Sequence, residues 1–318
     1  MGNPVRWGIM GTGGIAATFA TDLKLTDSGT VVAVGSRGQA SADAFADRLD
    51  IQRRHASYED LAADPEIDAV YVATPHPMHH GNALLALRAG KAVLVEKPFT
   101  MNADEARELV KVARDNNVFL MEAMWTRFLP NVRRLRELVG GIGEIVTVTA
   151  DHGQWFAEDA EHRLFAPALG GGALLDLGVY VVSFASMVLG PPSRIVAMVD
   201  PAFTGVDGQT SMIFGYESGA QAVLTCTLRA KSPTRAAIVG AEGRIEIDGP
   251  FYGPAAVTLT PREGEPTVIP SEHEGSGLRH EADEVALRLA AGETESPLMP
   301  LDETVSIMAT MDTVLATS

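Results

Sequence analysis

Apolar positions follow two different rhythms along this chain. Up to about residue 120, short β-branched runs at 5–10, 31–36, 69–73, 92–95 and 118–121 alternate with helix-period stretches at 15–23, 40–49, 80–89 and 103–116. Strands of such uniform apolarity, each followed by a helix, predict a parallel sheet covered on both faces. Asn102 is placed to cap the last of these helices, with Glu105 positioned for a capping box. Beyond residue 123 the rhythm changes. Runs at 144–150, 195–199, 211–216, 220–228, 236–239, 244–247 and 256–260 read as strands, several alternating apolar with polar residues, joined by Gly, Pro and Asp turns. That pattern predicts an antiparallel sheet with one face toward solvent or a partner. A buried helix is expected at 174–189, further helices at 279–291 and 302–316, and a loop over 261–277.

Composition narrows the class. A chain of 318 residues suggests two domains at a prior of about 150 residues each. Acidic residues outnumber basic ones 41 to 25, and the net charge of −16 argues against nucleic-acid and anionic-membrane partners. Any anionic ligand must therefore be held by local cations or backbone amides. The one cysteine, Cys226, lies in a strand-like run and reads as a buried, inert thiol. A single thiol suits a reducing, cytoplasmic setting. The start of the chain lacks a signal-peptide layout, and no apolar run is expected to approach the roughly 18 residues of a membrane helix.

The first strand runs into Gly11-Thr12-Gly13-Gly14-Ile15-Ala16, a G-x-G-x-x-A fingerprint that opens a helix. The first glycine makes the tight turn, the second admits a pyrophosphate, and the small Ala16 lets helix and strand pack closely. Alone the fingerprint is weak; strand before and helix after make it a dinucleotide site. At the end of the second strand stand Gly35, Ser36 and Arg37, where an NAD site commonly carries an acid for the ribose 2′-OH. A hydroxyl and a guanidinium suit a 2′-phosphate, so NADP(H) is preferred over NAD(H); the alternative for Arg37 is a solvated surface arginine. Thr74, Pro75 and His76 close another strand on the ligand-binding side of the sheet. His79 and His80 complete a histidine cluster, but without a spaced ligand set it does not read as a metal site. His76 and His79 read as cofactor neighbours instead.

Glu96, Lys97 and Pro98 end the strand at 92–95, so Lys97 emerges on the cofactor side. Further on, Gly170, Gly171 and Gly172 lead into a helix in which Asp176 and Tyr180 are spaced i, i+4 and share a face. At these residues the chain resembles the glucose–fructose oxidoreductase/inositol dehydrogenase (Gfo/Idh/MocA) family. The likeness covers essentially the whole length: GTGGIA, TPHPMHH, EKP, the glycine-rich helix start and the closing ESPLMPLDE. Glu122-Ala-Met-Trp-Thr-Arg-Phe128 and GGGALLDLGVY resemble the branch of dimeric dihydrodiol dehydrogenases and NADP-dependent xylose dehydrogenases. Many members of the wider family carry His where this chain has Tyr180, so the likeness points away from inositol or glucose–fructose chemistry.

The resemblance implies that Lys97 and Tyr180 act together. A tyrosine of pKa about 10 is a poor base at neutral pH, and a lysine ammonium about 4 Å away would lower that value by up to roughly 3. Asp176 is then available to orient Lys97 or a substrate hydroxyl. The branch also implies Trp125 as a substrate-pocket wall and a homodimer built on the exposed sheet face. Arg127 and Arg163 read either as substrate contacts or as structural ion pairs.

These readings predict an α/β chain. A Rossmann domain with a parallel sheet spans 1–123, and an α+β domain with a large, mainly antiparallel open sheet spans 124–318, its helix 302–316 placed to pack back on the first domain. The function expected is an NADP-dependent dehydrogenase or reductase acting on a small sugar, polyol, or trans-dihydrodiol/dicarbonyl compound. Two alternatives stand beside it: a keto-sugar reductase of the anhydrofructose type, and a non-catalytic dinucleotide-binding regulator. Retention of Lys97, Asp176 and Tyr180 together weighs against the regulator.

Overall fold

The computed structural model describes residues 3–271 and 274–317. Its first part alternates strand and helix: β1 (Val5–Met10), α1 (Gly14–Asp22), β2 (Gly29–Gly35), α2 (Gln39–Leu49), β3 (Arg53–His55), α3 (Tyr58–Ala63), β4 (Ala69–Val72), α4 (His79–Arg88), β5 (Ala92–Glu96), α5 (Ala103–Asn116) and β6 (Leu120–Ala123). The six strands are parallel, in the order β3-β2-β1-β4-β5-β6. Every residue of β4 and β5 is buried, as a sheet covered on both faces requires. The strand order reverses between β1 and β4, and open α/β sheets bind ligands at such a switch point, beyond the strand ends. The α5 cap forms as expected: Asn102 accepts the Glu105 N–H at 3.0 Å, and Glu105 reaches back to the Met101 N–H at 3.0 Å. β3 and α3 were not anticipated. β3 is an Arg-Arg-His edge strand without apolar alternation, held by its pairing with β2.

The second part contains α6 (Pro130–Leu138), β7 (Ile145–Gly153), a π-helical turn (Leu174–Gly178), α7 (Val179–Leu189), β8 (Arg194–Pro201), β9 (Asp207–Gly215), β10 (Gln221–Thr227), β11 (Ala236–Gly240), β12 (Gly243–Ile247), β13 (Val257–Pro261) and β14 (Thr267–Ile269). Eight strands form one sheet, β14-β13-β12-β11-β7-β10-β9-β8. All neighbours are antiparallel except β7 and β10. The π turn and α7 cover one face, against Val148, Ala150, Ala222, Leu224 and the buried Cys226. β14 lies inside the stretch 261–277 that reads as loop in the sequence; residues 272 and 273 of that stretch are outside the described residues.

The stretch Pro167–Leu189 corrects one expectation. It is 23 residues long, its best window has a mean hydropathy of 1.8, and 78% of that window is buried inside the fold. Length and composition would pass it as a membrane span, and a core helix passes the same test because both environments reward an all-round apolar surface.

The chain closes with α8 (Arg279–Ala290) and α9 (Leu301–Ala316). It divides into two compact units. One runs to Phe128 and takes in Glu274–Val305; the other begins at Leu129 and takes in the chain from Ser306. The division thus differs from a single break at residue 123. The returning segment is fastened within the first unit by long-range polar contacts that no local pattern announces. The Asp22 carboxylate accepts N–H groups of Ser276, Gly277 and Leu278 at 2.7 to 2.9 Å. Arg114 pairs with Asp302 at 2.9 Å.

Candidate functional site

The candidate residues fall on both units, and each unit builds its own group. In the first, β1 turns at Gly11, whose φ of +112° suits glycine and where a Cβ would stand 2.6 Å from the Ala73 carbonyl oxygen. Thr12 is half-buried, whereas Gly13, Gly14 and Ile15 are exposed, and the two glycines leave open space where side chains would be. Among the described residues no side chain caps α1. Its leading N–H groups are therefore open to a phosphate, and the residues present fit a dinucleotide pyrophosphate.

Ser36 is buried and donates its backbone N–H to the His55 carbonyl at 3.1 Å. Arg37 next to it is exposed and makes no ion pair among the described residues. Its charge acts on the phenol of Tyr58, although burial outweighs it and raises that phenol's pKa. The neighbouring Arg53 and Arg54 are committed elsewhere, to Asp64 at 2.5 Å and to Asp47 at 2.7 Å.

At the end of β4, Thr74 Oγ1 accepts the Asn82 amide at 3.1 Å, and Pro75 precedes a short 3-10 turn beginning at His76. His79 differs from its reading as a cofactor neighbour. It is fully buried, with Nδ1 2.8 Å from the Pro98 carbonyl oxygen and Nε2 2.8 Å from that of Thr74. It ties the segment after β5 to the segment after β4, and burial lowers its pKa. The His76 ring meets it edge-on at 5.7 Å, while His80 pairs with Glu108 at 3.0 Å. Among the described residues no three His, Cys, Asp or Glu side chains converge as a metal ion would need.

Glu96 is buried and accepts the Tyr71 hydroxyl and the Lys97 N–H, the latter at 3.1 Å. Its carboxylate so fixes the turn that carries Lys97, whose side chain is half-buried. The burial of two further acids was not legible in the sequence. Glu281 is wholly buried, and burial together with the charges of Glu96 and Asp22 raises its pKa strongly. Glu122 is wholly buried near Arg127 and Thr304, and burial pushes it up to about 7. Trp125 is half-buried. Arg127 is only 1% exposed, and its guanidinium donates to Glu303 at 2.7 Å. Of the two readings given for Arg127, this geometry is that of the structural ion pair.

In the second unit, Asp207 prepares the helix start. Its carboxylate accepts the Leu174 N–H at 2.6 Å and the Thr210 hydroxyl at 3.2 Å, and burial raises its pKa to about 6. Gly172, at φ +129°, must lack a side chain, because a Cβ would lie 2.0 Å from Asp207 Oδ1. The helix then opens as a π turn and becomes regular only at Val179. That changes the picture of Asp176 and Tyr180 as one α-helical face, since the wider π turn rotates the earlier residue away from α-helical phase. Asp176 accepts both Arg163 guanidinium nitrogens, at 3.0 and 3.3 Å. The Tyr180 ring, 8% exposed, meets His152 at 5.4 Å and Tyr252 at 4.9 Å. Neither His152 nor Tyr252 stood out in the sequence. The signal for His152 was the alternation Val148, Ala150, His152, which continues one strand face beyond the expected end at residue 150.

Comparison with known proteins agrees with this architecture. Residues 5–124 match the model of the oxidoreductase family with an NAD-binding Rossmann fold, and residues 132–246 match the GFO/IDH/MocA C-terminal domain. The chain is 39% identical over 312 residues to the trans-1,2-dihydrobenzene-1,2-diol dehydrogenase of Mus musculus, covering 94% of this chain and 92% of that protein. To the protein of the same name from Xenopus tropicalis it is 37% identical over 321 residues, covering 98% and 97%. A 3-ketoreductase from Actinomadura kijaniata in complex with NADP and TDP-benzene superposes with a TM-score of 0.86 at 27% identity, over 99% of this chain and 98% of that one. The aldose-aldose oxidoreductase from Caulobacter crescentus shares the fold, with a TM-score of 0.90 at 22% identity over 99% and 97%. The chain belongs to the Gfo/Idh/MocA family of oxidoreductases.

Proposed function

We propose that this oxidoreductase uses NADP(H) and interconverts an alcohol and a carbonyl on a small sugar, polyol, or trans-dihydrodiol/dicarbonyl substrate. The observation that carries the reading is the end of β2. There a hydroxyl and a guanidinium without an ion pair among the described residues, Ser36 and Arg37, stand where an acid would select NAD. The dihydrodiol dehydrogenase name of the relatives and the NADP in the ketoreductase complex support it. The bound nicotinamide would supply or accept the hydride. Tyr180 removes the hydroxyl proton in oxidation and returns it in reduction, and Lys97 is its electrostatic partner. Glu96 holds the Lys97 backbone, and Arg163 holds Asp176.

Arg37→Ala is expected to weaken NADP(H) by about 1.5–3 kcal/mol, the range for a charge-assisted hydrogen bond, while NAD(H) affinity stays nearly constant. Fluorescence titration with both nucleotides measures this, and equal losses would contradict the assignment. A panel of sugars and trans-dihydrodiols, followed by NADPH formation, identifies the substrate. The single buried thiol of Cys226 suits a cytoplasmic setting.

The second unit's open sheet face supports a homodimer. One register row crosses β8, β9, β10 and β7 through Val196, Ile213, Val223 and Thr149, and Met198 in the next row is 75% exposed. Adjoining exposed apolar chains of this kind mark an interface. Sedimentation should give twice the 33.7 kDa chain mass, and Ile213→Lys with Met198→Lys should give the monomer. A monomeric wild type would refute the dimer.

A further inference from the structure

His152 lies next to the end of β7, on the face that also carries Val148 and Ala150, and is 1% exposed. A buried imidazole is tolerated when both nitrogens are satisfied, and here they are. The Gln154 Nε2 amide donates to Nε2 at 3.1 Å, which leaves Nδ1–H to donate to the Leu177 carbonyl at 3.2 Å. The two bonds fix one neutral tautomer and one ring orientation. Leu177 belongs to the π turn that carries Asp176 and leads into Tyr180. The same imidazole stacks on Tyr252 at 4.5 Å and 30° and meets the Tyr180 ring at 5.4 Å and 63°. Tyr252 in turn touches Tyr180 at 4.9 Å.

We propose that His152 is the positioning residue of the second unit's site: through one backbone bond and one ring contact it sets both the π turn and the orientation of the Tyr180 phenol. The proposal rests on the reading of Tyr180 as the proton-transfer group. His152 itself exchanges no proton with substrate. It acts by holding Tyr180 where transfer is productive, and misplacement of a reacting group by 1 Å costs about 10² in rate.

The test uses the whole chain with NADP(H) and any substrate that the panel identifies. His152→Ala should lower kcat by about 10- to 100-fold and leave NADPH affinity, read by nucleotide fluorescence, unchanged. His152→Asn keeps an N–H toward Leu177 and should recover part of the loss, and it also serves if the alanine variant fails to fold. In a Tyr180→Phe background, His152→Ala should cost almost nothing further, since the two act as one unit. Full turnover in His152→Asn and His152→Ala, or losses that multiply in the double variant, would overturn the positioning role while leaving Tyr180 in place. Full turnover in Tyr180→Phe would overturn the proton-transfer reading, and the positioning role with it.

Discussion

Tyr180→Phe is expected to slow the chemical step by roughly 10² to 10⁴, the usual contribution of a general acid–base group. The substitution removes one hydroxyl from a ring that is held on its sides by His152 and Tyr252. Folding should therefore persist, and so should NADPH affinity, because the glycines and Arg37 proposed to hold the nucleotide belong to the other unit. Lys97→Met should depress turnover as well. If the lysine works by favouring the phenolate, the double variant should be little slower than the slower single one. Turnover and NADPH binding measured for the four proteins decide the matter. Most of the turnover surviving in Tyr180→Phe would mean that the proton travels by another group, with His76 or Asp176 next to examine.

The second large effect concerns stability. Glu122 is buried without full hydrogen-bonding geometry at either oxygen, and burial lifts it from the ordinary 4.5 to about 7, against the pull of Arg127. Between those two values the folded chain keeps a proton that the unfolded chain has released. Stability therefore falls as pH rises from about 4.5 to about 7 and stays low above it. At 1.36 kcal/mol per pH unit the total is about 3 kcal/mol. Glu122→Gln removes the titration and keeps the shape. Denaturant unfolding should find variant and wild type similar near pH 4.5, and the variant more stable by about 3 kcal/mol at pH 8. An unchanged gap across that range would place the carboxyl's ionisation elsewhere.

Glu122 also shows where sequence reading ends. Its neighbours Ala123 and Met124 are apolar, yet nothing local says that it is enclosed or that Arg127 is. The ion pair of Arg127 with Glu303 spans 176 residues, and Asp22 reaches Gly277 across 255. Such contacts depend on where the returning segment lies, and that is set by burial of apolar surface over the whole unit. For the same reason the sequence divides the chain at one place and the fold divides it at three.

What the sequence determined by itself is of shorter range. The β1 turn and α1, the buried strands β4 and β5, and α5 from its Asn102 cap to Asn116 were all legible, because strand apolarity, glycine geometry and capping bonds act within a few residues. The candidate glycines, Ser36, Arg37, Lys97, Asp176 and Tyr180 stood out as candidates on the same scale, the pairing of Lys97 with Tyr180 coming from the family resemblance. Only the tertiary structure decided their surroundings. It showed that His79 faces two carbonyl oxygens, that Asp176 faces Arg163, and that Tyr180 faces His152 and Tyr252. It also turned the expected α-helical start at residue 174 into a π turn, where Asp207 accepts the Leu174 N–H and His152 donates to the Leu177 carbonyl. Helical phase is a local preference, but those partners come from β9 and β7. A buried carboxylate and a buried imidazole that must each be satisfied outweigh the small difference between one helical winding and the next.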